Sequence, residues 1–152
     1  MKGHVNGTLI HNMLVDSGAI VNLMPYSLYK KLGGTDEELI KTNMTISGVG
    51  GGDPILANGV ASMEVTIGSK TLATAFFVAK VQGSYNLILG HDSIHANRCV
   101  PSCFHQFLIQ WVGDDVEVVH VDSSDYVAMA DAPSLGGHDG IACLSGRDLS
   151  DF

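Results

Sequence analysis

The sequence predicts an all-β domain, a barrel or sandwich, with one or two short helices. Three observations predict it. Apolar and β-branched residues come in short runs divided by turn pairs such as Asn6-Gly7, Gly68-Ser69 and Gly113-Asp114. Helix patterns are confined to two brief stretches, too little for a helical or α/β domain. The 152 residues include 18 glycines and are 45% hydrophobic but 16% charged, which suits one domain with a real core and many turns.

Each element follows from its own residues. In "HVNGTLIHNMLVD" apolar and β-branched residues flank Asn6-Gly7, a strong hairpin pair. "PYSLYKKLGG" predicts a short helix, with Pro25 suited to the first helical position, Leu28 and Leu32 four apart, and glycines to stop it. "TISGVGGGDP" lies between strand-like segments and predicts a hairpin with a glycine-rich tip, a candidate lid over a cleft. It lacks the lysine and Ser/Thr of a phosphate-binding loop. "MEVTIGSKTLATAFFVA" alternates on both sides of Gly68-Ser69, a second hairpin, and "YNLILG" carries an apolar run, Leu87-Ile88-Leu89, as in a strand buried on both faces. "HDSIHAN" suits one or two helical turns. "HQFLIQW" and "DVEVVHV" are strands around Gly113-Asp114, with Trp111 expected in the core. Past about Asp122 the pattern fades into Ser, Asp, Gly and Ala, so the expected division is a domain over 1–121 and an acidic, disordered tail or linker over 122–152.

Composition narrows the function classes. Up to Gly113 seven acids balance seven bases; beyond it nine acids face only Arg147, so the formal charge of −8 sits at one end. Nucleic-acid binding rewards clustered Lys and Arg and is not expected. No run approaches the length of a membrane span, and the first residues lack a signal-peptide core, so an intracellular, cytoplasmic chain is expected. Three cysteines fit a reducing compartment. His95, Cys99, Cys103 and His105 form H-x3-C-x3-C-x-H, which matches no common zinc pattern. They are read as isolated thiols and imidazoles on a helix-to-strand connection, and neither metal nor cofactor is expected.

One carboxylate stands apart. In "NMLVDSGAIVNLMP", Asp16 is flanked by Met13, Leu14 and Val15 and then by Ala19, Ile20 and Val21. A buried charge needs a partner or loses its charge, and nothing beside Asp16 in the sequence supplies one. Ser17 and Gly18 after it suit a tight turn.

Taken in order, "MLVDSGA", the helix "PYSLYKKLG", the flap-like "ISGVGG", the hairpin at Gly68-Ser69 and "NLILGHDSIHAN" resemble the retropepsin-type aspartic proteases, particularly those of gypsy-type LTR retrotransposons. The continuation "CVPSCFHQFLIQW" resembles the closing segment of that domain in plant retroelement polyproteins. The resemblance implies an acid-protease barrel that works as a two-fold homodimer, so that the partner of Asp16 is the Asp16 of a second copy. It implies an aspartic endopeptidase cutting peptide or polyprotein substrates with a water held by the two carboxylates. Asp16, Ser17 and Gly18 would form the catalytic turn. Ala19, Ile46, Gly48, Val49, Gly50, Gly51, Gln82 and Tyr85 would contact substrate, and Ile88, Leu89 and Gly90 would support the turn from beneath.

Three positions depart from the family pattern: Ser17 where Thr is commoner, His91 where Arg is usual, and Ser93 where a large apolar residue is usual. Only fifteen residues precede Asp16, which is short for the strand that knits many such dimers. These features motivate the alternative of a catalytically inactive retropepsin-like module for dimerisation or peptide binding.

Overall fold

The computed structural model describes residues 1–47 and 52–121. Among them the chain forms β1 (Gly3–Val5), β2 (Thr8–Ile10), β3 (Met13–Val15), β4 (Leu23–Pro25), α1 (Tyr26–Lys31), β5 (Thr45–Ile46), β6 (Ile55–Leu56), β7 (Gly59–Ile67), β8 (Lys70–Ala79), β9 (Leu87–Leu89), α2 (His91–Ala96), β10 (Cys99–Ser102), β11 (Phe107–Val112) and β12 (Asp115–His120). The architecture is mostly β with two short helices. No helix among the described residues is long and apolar enough to cross a membrane. The stretch 122–152, read as a tail, lies outside the described residues.

Seven strands form the main sheet in the order β2-β1-β7-β8-β4-β9-β3. The Asn6-Gly7 hairpin joins β1 to β2 with φ of +47° and +80°, the left-handed pair that matches the twist of antiparallel strands. The long β7–β8 hairpin is antiparallel in register from Gly59↔Val78 to Ile67↔Lys70, as its alternation predicts. β3 and β9 are parallel neighbours, and β4 joins β9 to β8. At the far edge, Met13 and Met1 exchange two main-chain hydrogen bonds (Met13 N to Met1 O 2.8 Å, Met1 N to Met13 O 2.9 Å). This brings β3 back beside the start of β1 and nearly closes the sheet into a barrel, covering the free edge of β3 at Met13. Val5, Met13, Met24, Phe76, Val78 and Leu87 fill the interior.

The remaining strands form a two-stranded sheet, β5–β6, and a three-stranded sheet, β10-β11-β12. The second packs on the tip of the β7–β8 hairpin. Gln110, fully buried, donates to Ile67 O (2.7 Å) and to the Glu117 carboxylate (2.8 Å), which in turn accepts from the Ser69 hydroxyl and amide.

Three local readings change. Pro25 is the last residue of β4 and precedes α1, which begins at Tyr26; its φ of −58° and ψ of 136° suit an extended residue. Trp111 is exposed. On β11 the alternation sends Leu108 and Gln110 inward and Ile109 and Trp111 outward, so the largest residue of the strand misses the core. Cys99 opens strand β10 instead of lying in a connection. Its half-buried thiol approaches Ile94 O (3.6 Å), and burial pushes its pKa up to about 11.

Candidate active site

The site grows from the pairing of two short apolar strands. β3 and β9 run parallel with Met13↔Leu87, Leu14↔Ile88 and Val15↔Leu89 in register, and both strands end at the same level. The next residues are Asp16 on one and Gly90 on the other. Asp16 N extends the ladder by donating to Leu89 O at 2.9 Å. Asp16 Oδ1 accepts from Gly18 N at 2.8 Å, and Ala19 N closes on Asp16 O at 3.2 Å. An aspartate whose side chain accepts the amide two residues on is a self-stabilised turn, and here it fixes the carboxylate's direction. Asp16 is 5% exposed, whereas Ser17 and Gly18 are exposed and form the rim.

Gly90 explains why the turn stands where it does. A Cβ on Gly90 would lie 2.4 Å from Val21 O and 2.7 Å from Ala19 O, both main-chain atoms of the Asp16 loop. Only glycine lets α2 begin that close. His91 N then donates to Ala19 O at 2.7 Å, clamping the loop to the start of the helix.

Asn22 completes the clamp, and sequence reasoning missed it. Its Oδ1 accepts from Gly90 N (2.8 Å), its Nδ2 donates to Ala75 O (3.0 Å), and its main-chain O accepts from Phe77 N (2.9 Å). It is 4% exposed. The available signal was an amide inside the apolar run "AIVNLM", a residue that cannot be buried without partners.

The substrate-side residues fall into two groups. Gln82 and Tyr85 line a shallow groove together with Leu23, Pro25 and Ile88. Asn86 fixes that loop to the approach of β3, donating from its side chain to His11 O (2.6 Å) and from its main chain to Asn12 O (3.0 Å). Ile88, half-buried, pairs with Leu14 and Leu23 and reaches the groove, so it lies as much along the wall as beneath the turn; Leu89 and Gly90 carry the support. Ile46 lies on β5 opposite Ile55 of β6, the base of the expected flap. Gly48, Val49, Gly50 and Gly51 lie outside the described residues. Among the described residues no three His, Cys, Asp or Glu side chains converge in a metal-sized cluster.

No family model and no curated protein matches the chain. Among solved structures it is similar to the retroviral protease-like domain of Ddi1 from Leishmania major, at 23% identity and a TM-score of 0.59 over 82% of this chain and 94% of that one. Two weaker likenesses are to EIAV protease complexed with the inhibitor HBY-793 (21% identity, TM-score 0.46, 63% of this chain and 84% of that one) and to a retropepsin-like aspartic protease from Rickettsia conorii (19%, 0.48, 78% and 79%). The Leishmania likeness covers nearly all of that domain. The chain therefore has the fold of a retropepsin-type acid protease.

Proposed function

We propose that the chain is an aspartic endopeptidase active as a homodimer, in which the Asp16 turns of two copies meet across a two-fold axis. The observation that carries this reading is the Asp16 turn itself. A nearly buried carboxylate is aimed by the Gly18 amide, anchored on Leu89 and the Gly90–Asn22 clamp, and bordered by an open Ser17–Gly18 rim that a second copy can approach.

Two carboxylates brought within hydrogen-bond distance hold one proton between them, as is general for aspartic proteases. The ionised Asp16 takes a proton from the shared water as that water's oxygen bonds to the peptide carbon. The protonated Asp16 hydrogen-bonds the carbonyl oxygen as charge develops there, and a proton then passes to the departing nitrogen as the C–N bond breaks. Ser17 braces the two turns across the axis, and Gly18 and Ala19 offer main-chain groups to substrate. Gln82 and Tyr85 form one wall of the channel, and the hairpin bearing Ile46, Gly48, Val49, Gly50 and Gly51 forms the cover. Apolar Ile46 and Ile55 at the hairpin base and Ile88 in the groove favour apolar side chains near the cut. Retroelement polyproteins of the gypsy type are the substrates this reading favours, with 1–121 as the protease unit and 122–152 as an acidic linker.

Asp16→Asn keeps the Gly18 acceptor and the shape of the turn. It is expected to melt as the parent does while losing at least a thousandfold in cleavage of an extended peptide, with parent activity blocked by pepstatin. Cleavage at the parental rate by Asp16→Asn overturns the mechanism. One observation favours a second reading, a non-catalytic peptide-binding or dimerisation module: His91 is exposed and stacks on His95 with ring centroids 6.2 Å apart. An imidazole there offers fewer donors than a guanidinium and braces the turn less. A dimer that binds the peptide without cutting it selects this second reading.

A further inference from the structure

The run H-x3-C-x3-C-x-H does not assemble into a ligand set. Cys99 turns its sulfur to Ile94 O, and His105 Nδ1 lies 2.9 Å from the Ser102 hydroxyl. The fold brings together a different pair, of which only one member belongs to that run. His91 and His95 stand four apart on α2 and therefore share one face of the helix. Both are exposed, and their rings lie 7° from parallel with centroids 6.2 Å apart. Among the described residues no hydrogen bond or ion pair engages either ring.

We propose that His91 and His95 hold a divalent transition cation of the zinc type, which clamps α2 against the Asp16 loop. Two histidines at i and i+4 of a helix can share one zinc ion. Each nitrogen bonds zinc at about 2.0–2.1 Å in a tetrahedral array, which sets two ring centroids about 5 Å apart. The two rings reach that spacing by closing about 1 Å, a small rotation for exposed side chains. Water fills the remaining positions, since among the described residues no third ligand converges on the pair.

The surroundings select the ion and give it a role. Arg98 lines the same groove as both rings and repels a cation held by charge alone. Magnesium and calcium also require oxygen ligands, whereas neutral imidazole suits zinc, copper and nickel. α2 has six residues, its N-cap is Gly90, and no side chain caps it. A helix that short does not hold itself together. An ion spanning His91 and His95 ties its two ends. The main-chain amide of His91 is also the donor to Ala19 O at 2.7 Å. The cation therefore fastens the start of α2 to the Asp16 loop from the surface, where Asn22 fastens it from within.

Zinc alone is the probe, titrated by calorimetry into the full chain at about pH 7.5, where imidazole is mostly neutral. Hydrogen exchange of the α2 amides is followed in parallel. The expected result is one zinc ion per chain with a midpoint in the micromolar range, slower exchange at the His91 amide, and no effect of magnesium. His95→Gln keeps an exposed polar side chain in the helix, with circular dichroism as the check on folding. It is expected to weaken binding at least tenfold and to remove the slower exchange. His105→Gln, outside the pair, should leave both at parental values. Zinc binding that survives His95→Gln, or that is lost with His105→Gln instead, overturns the site, as does no binding at millimolar zinc. Binding that depends on His95 but leaves exchange at His91 unchanged overturns the clamp, and so does magnesium slowing that exchange equally. Neither readout uses cleavage, so the peptidase reading stands or falls separately.

Discussion

Asn22→Ala tests whether the candidate site is held by one buried amide. The substitution deletes the acceptor of Gly90 N and the donor to Ala75 O while leaving the main-chain bond from Phe77 N in place. Gly90 N is buried at its bond, so its orphaned donor costs about 1–3 kcal/mol; Ala75 O is partly open to water and adds about 1 kcal/mol. The sum, about 2–4 kcal/mol, is a large fraction of the 5–15 kcal/mol that stabilises an ordinary domain. For a domain of about 120 residues that lowers the melting temperature by roughly 8–16 °C. Urea unfolding is the assay, with the midpoint expected to fall while the slope stays constant. Peptide cleavage should fall further than the population of folded protein does, because the loop that aims Asp16 loses its tie to α2. A loss below about 1 kcal/mol, with parental cleavage, would show that Asn22 is not what joins the two loops.

Glu117 should impose an acid limb on stability. Its pKa is lowered, first by the Gln110 amide and then by the Ser69 hydroxyl and amide, so its contribution is complete above the ordinary glutamate range and is lost as pH falls through the lowered value. The melting-temperature gap between the parent and Glu117→Gln should therefore be widest at pH 6–7 and narrow below about pH 4; a gap independent of pH contradicts the assignment. Cys99, with its pKa near 11, should be a slow thiol. At pH 8 its thiolate population is about two-hundredfold below that of an ordinary cysteine, offset in part by higher intrinsic nucleophilicity, so alkylation about twentyfold slower than that of a free thiol is expected. Mass-spectrometric detection of fast labelling at Cys99 would place its sulfur in water.

Local rules carried most of the fold. Asn6-Gly7 and Gly68-Ser69 specify their own hairpins because the needed backbone angles are available to few other residues, and the alternation of β7 and β8 then sets their register. Leu87-Ile88-Leu89 was readable as a strand because its three positions are apolar. What stayed hidden depends on residues far apart in sequence. The role of Asn22 rests on Gly90 and Ala75, and no local pattern points to either. Trp111 was misplaced for a related reason: a large apolar side chain reads as core, but the direction it takes is set by the parity of β11 relative to buried Gln110. β4 escaped notice because three residues ahead of a helix make too short a pattern. The Asp16 turn was legible as a motif, and support from Leu89 and Gly90 followed only from the family resemblance; the tie from Gly90 to Asn22 was not legible.

The parallel pairing of β3 with β9 also has a kinetic consequence. Gly90 and Asn22 are 68 positions apart, yet each holds the other's loop. The entropic cost of closing so long a segment is met before any gain from that contact arrives, so this corner of the barrel should order late in folding. During synthesis, a ribosome that has made the first half of the protein has made Asp16 without its scaffold. Whatever chemistry the carboxylate performs is thereby withheld until the strand ending at Leu89 has emerged and docked.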